Sequence, residues 1–242
     1  MKKTFTVGVV FLLAITGPIV AQEVGSSNAP TATSASAAPD SEQEKKAATW
    51  VTALNLNDAE KAARVQAVIA THLDAVRNWT KEHSYTNVPA GINPVTGKPL
   101  SILDRQIIAD SALPKSVHEN LLAGLRKDLN AEQVAVVLDK YTIGKVAFTM
   151  NGYHAIVPDL TQEEAATILG FLQQAREEAV DYKNVREISA IFEIYKTKSE
   201  QYLNANGRNW HDLYGAYVKA AKAKKAAGTN SPAAKPAAAQ AP

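Results

Sequence analysis

The chain has no cysteine. That absence excludes disulfide stapling in any compartment, and with it a lipid-anchored export signal, which needs a cysteine directly after its cleavage point. The fold must therefore rest on its hydrophobic core. The longest apolar run is shorter than the roughly 20 residues a membrane helix requires. Nowhere do apolar and polar residues alternate for long enough to argue for a sheet. A basic stripe with interleaved aromatics, the footprint of a nucleic-acid binder, is missing too, so no nucleic-acid partner is expected. The five histidines, His72, His83, His118, His154 and His211, never pair as H-x-x-x-H or H-E-x-x-H. A zinc site would have to gather ligands from separate helices, and no metal or cofactor is expected. Without cysteine or a G-x-S-x-G turn, a nucleophilic serine or cysteine site has no support.

What is present at the ends points to export. Met1-Lys2-Lys3 precedes an apolar run from Phe5 to Ile15, Gly17 and Pro18 break it, and Ile19-Val20-Ala21 leads to Gln22. Charged start, apolar middle and small residue at the cut form a secretory leader over residues 1–21. The mature chain is expected to be periplasmic or extracellular, soluble, without a membrane span and not a lipoprotein. Residues 22–46 are Ser, Ala, Thr, Pro and Glu with almost no large apolar side chains, which predicts a disordered spacer. Residues 222–242 are Ala, Pro and Lys and predict a disordered tail, within which Lys222, Lys224 and Lys225 form the only basic run. The formal charge of +2 comes from 26 basic and 24 acidic residues. Loss of Lys2 and Lys3 with the leader brings the mature chain to neutrality.

Residues 47–221 suffice for one domain with a real core. Val65, Ile69, His72, Val76 and Trp79 recur at three- and four-residue steps, the period of a helix face. The same period runs through Ala165, Ile168, Leu169, Leu172, Ala175 and Ala179, then Ile188, Ile191, Phe192, Tyr195, Ser199 and Tyr202. A last stripe is Trp210, Leu213, Tyr214, Tyr217 and Val218. The pattern predicts an all-α, single-domain bundle of about six to seven helices. Helix starts are marked at Leu56-Asn57-Asp58-Ala59-Glu60, Leu129-Asn130-Ala131-Glu132-Gln133 and Leu160-Thr161-Gln162-Glu163-Glu164. In each, Asn or Thr caps the helix and a Glu or Gln three residues on bonds back to the cap. Pro114 fits a first helical turn leading to Val117, Leu121, Leu122 and Leu125. Pro158 closes one segment, and Asn206-Gly207 supplies a left-handed stop. Residues 84–101 form a long Pro/Gly-rich loop whose Val88, Ile92, Val95 and Leu100 predict that it packs down.

The second half carries a string of particular residues: Tyr141-Thr142-Ile143-Gly144-Lys145-Val146, Tyr153, then Ile156-Val157-Pro158-Asp159-Leu160-Thr161. Ala175-Arg176-Glu177-Glu178-Ala179, Phe192, Tyr195-Lys196, Tyr202-Leu203 and Gly207 follow. In these residues the chain resembles the exported bacterial family called domain of unknown function 3826, over about residues 50–215. The 84–101 loop is an expansion relative to shorter members. The resemblance implies a setting of polysaccharide, notably pectin, breakdown, but it transfers no catalytic residue.

Candidate ligand-binding residues are Tyr141, Tyr153, His154, Arg176, Glu177, Asp181, Tyr195, Lys196 and Trp210. Aromatic rings beside a few polar groups hold sugar rings or partner chains. A tyrosine-rich helical core, bodies packed and hydroxyls bonded, is the plainer reading of the same residues. Glycoside hydrolysis would need two carboxylates about 5–9.5 Å apart, and Glu177, Glu178 and Asp181 are close in sequence. Carboxylates this dense on a helix are more often a solvated face, and Arg176 and Asp181 flank the apolar stripe, so a structural internal ion pair with Lys196 or Arg186 is expected. His72, on an apolar face, is expected to be a hydrogen-bonded core residue. Two functions stay open: a non-catalytic binder of a saccharide or envelope protein, and a polysaccharide-active enzyme using these carboxylates.

Overall fold

The computed structural model describes residues 41–94 and 96–229, with side chains as far as 224. The leader over 1–21, the spacer up to residue 40, Val95 and the tail from 230 lie outside the described residues. Among the described residues the chain folds into nine α-helices. They are α1 (Glu42–Thr52), α2 (Ala59–Glu82), α3 (Ile102–Asp110), α4 (Lys115–Asp128), α5 (Ala131–Tyr141), α6 (Lys145–Ile156), α7 (Gln162–Ala179), α8 (Val185–Ala205) and α9 (Trp210–Thr229). No described helix is long and apolar enough to cross a membrane. The chain is thus a single all-α domain, with nine helices in place of the expected six or seven.

Two expected boundaries move. Helix α1 starts inside the expected spacer because Ser41 accepts from the Glu44 N–H while Glu44 returns a bond to the Ser41 N–H. That box holds a polar first turn in helix, and the next turns bury Ala47 and Val51. Helix α9 runs into the expected tail, to Thr229. Ala and Lys are strong helix formers, so this stretch needs no apolar face to continue the helix.

The capping boxes at Asn130/Gln133 and Thr161/Glu164 form as expected. At α2 the cap is Asp58, one residue later than Asn57, and with Lys61 at the third helical position no reciprocal bond closes. Further boxes form at Ser101/Asp104 and Asn184/Glu187. Pro114 sits one position before α4 with ψ 128°, an extended cap rather than a first helical turn. Gly207 adopts φ +85° and stops α8, as a left-handed glycine should.

The core has two parts. In the first, α1, α2, α4 and α5 bury Val65, Ile69, Leu121, Leu125, Val137 and Leu138. In the second, α6, α7 and α8 bury Ile168, Leu172, Ile188, Ile191, Phe192 and Leu203. Each such side chain contributes about 1.5–3 kcal/mol over leaving it exposed. The α2 and α8 stripes point inward as their spacing predicts, whereas Leu169 of the α7 stripe faces out. The turn from α7 to α8 lies where the two parts meet: Val180 packs into the first and Tyr182 into the second. Asp181 stands between them.

The 84–101 loop is tied down by polar bonds more than by packing. Arg105 donates to the Val88 carbonyl at 2.9 Å, and the Tyr85 N–H donates to Gln106 Oε1 at 3.0 Å. Its outer half closes on itself through an Ile92–Pro99 bridge and a Leu100 N–H bond to Gly91 O. Leu100 covers Gly91, while Ile92 turns outward at 61 % exposure, against the expectation that it packs.

Candidate functional site

The predicted site residues separate into four places: two cavities, the core and the open surface. Arg176, Glu177, Asp181 and Tyr195 line a cleft of about 950 Å³ walled by the start of α4, α7 and the α7–α8 turn. Tyr153, Lys196 and Trp210 line a groove of about 750 Å³ among α6, α8 and α9. Tyr141 belongs to neither. It is buried in the first core, edge-on to Trp50 at 4.7 Å and His72 at 5.3 Å, with its hydroxyl donating to Ile69 O. Burial, and then the Asp181 charge, pushes that phenol well above its ordinary range. His154 is exposed on α6 and lines neither cavity.

In the cleft, Asp181 is gripped from two sides. His118 Nδ1 lies 2.8 Å from Oδ2 and His72 Nε2 lies 3.0 Å from Oδ1. Burial pushes the Asp181 carboxyl up, but the bonds from His118 and His72 outweigh it and hold the group below the usual carboxylate range. An ionised carboxylate only accepts, so each histidine donates from the nitrogen facing it. The same bond raises His118 above the usual imidazole value, with burial opposing. His72 is a bonded core residue, as expected, at 2 % exposure. The expected ion pairs are different ones: Arg176 reaches Asp139 at 3.0 Å and Lys196 reaches Glu193 at 2.6 Å.

Of the remaining cleft carboxylates, Glu119 makes no bond to a protein group among the described residues, and the others differ in how firmly they are held. Glu178 accepts from the Tyr195 hydroxyl at 2.8 Å, and burial followed by this neighbour pushes the tyrosine up to about 12. Glu177 faces Arg126 at 3.9 Å. Asp110 accepts from Gln106 at 3.0 Å, and burial raises its carboxyl. Among the described residues no three His, Asp or Glu side chains converge on a metal position.

The groove is built differently. Trp210, Tyr214 and Tyr217 recur at four and three residues along α9 and so share one face. The Trp210 and Tyr214 rings lie 6.0 Å apart and 21° from parallel. Tyr214 and Tyr217 are 49 % and 40 % exposed, and Phe148 across the groove is 78 % exposed. Tyr153 is a support beneath them, its ring 5.3 Å from Trp210 and its hydroxyl donating to Lys196 O at 3.2 Å. Asn151, Glu193, Lys196 and Glu200 add polar groups to the wall.

His118 and Phe148 stand outside the nine predicted residues. His118 meets Asp181 across 63 residues and His72 meets it across 109, so no local spacing announces the cluster. The α9 aromatics did carry a signal, their shared helical face.

These features define the class: an all-α domain with a polar cleft on one side and an aromatic groove on another. The chain belongs to the family described as Protein of unknown function (DUF3826), whose model matches residues 40–223. The comparison with curated proteins yields no match.

Proposed function

We propose that this is an exported saccharide-binding protein in a polysaccharide-utilising setting, and that the α6–α8–α9 groove holds the sugar without acting on it. The observation that carries the reading is the row of Trp210, Tyr214 and Tyr217 along one open face of α9, opposite carboxylate, ammonium and amide side chains. Sugar rings present apolar C–H faces and hydroxyl edges, and this wall answers both: aromatic faces for stacking, polar groups for the hydroxyls. Leaving several large aromatics half-exposed at one place is costly for a domain with no partner. Asp181, held by two histidines, and Glu178, held by Tyr195, argue against a paired-carboxylate enzyme built on them.

The test is titration of the full chain with pectic and other plant oligosaccharides, read by calorimetry and by quenching of tryptophan fluorescence. Trp210→Ala and Tyr214→Ala should each weaken binding by about threefold to tenfold, the worth of an aromatic contact. Binding that survives the double variant would remove the groove from the reading. Capture of an envelope protein through the same face, with no oligosaccharide bound, would replace the saccharide by a protein partner.

A further inference from the structure

We propose that the α4–α7 cleft is a separate, catalytic site, in which His118 Nε2 is a general base that activates water to hydrolyse a small neutral ester. The proposal stands on the orientation of one side chain. Asp181 takes the His118 Nδ1–H at 2.8 Å, which leaves the lone pair of the neutral ring on Nε2. Nε2 has no protein partner among the described residues, and His118 lines the cleft. Asp181 cannot swing away, because His72 holds its other oxygen at 3.0 Å from within the core. A base within reach of the cavity, oriented by a carboxylate that is itself fixed, is the arrangement that acid–base catalysis requires.

The surrounding groups select the reaction. Asp181 is held by His118 and His72, and Glu178 by the Tyr195 hydroxyl, so these two are taken up rather than poised as a carboxylate pair on a glycosidic oxygen. A neutral imidazole suffices for an ester. Water gives a proton to Nε2 as its oxygen bonds to the acyl carbon, and the carbonyl electron pair moves onto oxygen. The tetrahedral adduct then collapses, the bond to the alcohol oxygen breaks, and that oxygen takes the proton back from Nε2. Ester and water become acid and alcohol, and the imidazole is regenerated. Gln173, Gln174 and Lys115 line the same cleft and carry donors for the oxyanion. The volume of about 950 Å³ suits a small molecule, and a lining with five carboxylates, Asp110, Glu119, Glu177, Glu178 and Asp181, against Lys115 and Arg176 disfavours an anionic one.

The base works only unprotonated, so turnover should fall as pH drops through the His118 pKa. The charges that set this value are Asp181 at the α7–α8 turn, bonded in turn to His72 of α2, then Glu177 on α7 and Arg126 on α4 itself. Asp181 and His72 act as positioning residues, and the carboxylate is the main cause of the raised His118 value.

The experiment follows p-nitrophenyl acetate hydrolysis by the full chain against pH, beside an equal concentration of free imidazole. Expected is turnover above imidazole, with an acidic limb placed higher than an ordinary histidine's. His118→Gln should remove about a hundredfold or fall to background, and His211→Gln, at an exposed histidine that does not line the cleft, should change nothing. Asp181→Asn should slow the reaction by about tenfold and move the limb to lower pH, a readout that mere loss of packing would not shift. Thermal melts check that each variant is folded; should Asp181→Asn unfold, the His118→Gln rate and an NMR titration of His118 in the native chain decide. Turnover no faster than imidazole, or unchanged in His118→Gln, overturns the proposal. A limb that stays put in folded Asp181→Asn overturns the Asp181–His118 pairing as its basis.

Discussion

Gly124 offers a substitution whose sign runs against intuition. It lies inside α4, where glycine costs about 1 kcal/mol relative to alanine, so Gly124→Ala should stabilise the isolated helix. In the folded chain α4 packs on α2 at this point. A Cβ on residue 124 would stand 2.7 Å from Val68 Cγ2 and 2.8 Å from Cγ1. That is about 0.7 Å short of the 3.4 Å at which ordinary contact begins. Both valine methyls are in the way, and valine in a helix has one strongly preferred rotamer, so rotation does not clear the clash. The helices must move apart or the valine must strain, which costs about 1–3 kcal/mol. Net of propensity, Gly124→Ala should lose up to about 2 kcal/mol in urea unfolding. Gly215→Ala, in α9 with open space around the new methyl, should gain up to about 1 kcal/mol. Val68→Ala in the Gly124→Ala background should recover part of the loss. A stabilised Gly124→Ala variant, or equal effects at 124 and 215, would refute the close approach of α2 and α4.

Three further outcomes follow from the packing and the charges. Leu172→Ala, at a fully buried position in the second core, should cost about 2–5 kcal/mol in urea unfolding. The Glu164 carboxyl, bonded by Arg208 at 2.6 Å, is held at about 2 against an ordinary 4.5. Its contribution to stability is present above the ordinary value and is lost as pH falls from there toward about 2; Arg208→Ala should flatten that acid limb in thermal melts. His118 has the opposite sign: its raised pKa adds stability below the ordinary imidazole value that is lost as pH rises through the folded one. Asp181→Asn should abolish this dependence and lower the His118 midpoint measured by NMR.

Much of the fold was legible because helices are written in local periods. The α2 stripe and the boxes at Asn130 and Thr161 follow from residues within one or two turns of each other. The misses are local in another way. Helix α1 and the far end of α9 look like linker by composition, yet a serine–glutamate box and a run of Ala and Lys suffice for helix there. Nine candidate residues named by type and neighbourhood went to two cavities, one core and one open surface, because side-chain direction along a helix changes by 100° per residue.

The sequence by itself determined an all-α domain without cysteine, and an aromatic face on its last helix. Those depend on composition and on a period of 3.6. Only the tertiary structure decided that Tyr141 is core, that Trp210 and its neighbours border an open groove, and that Asp181 is shared by two histidines. His118 and His72 lie 63 and 109 residues away from that carboxylate. The packing of α2, α4 and the α7–α8 turn against one another, which no local pattern encodes, is what makes them neighbours.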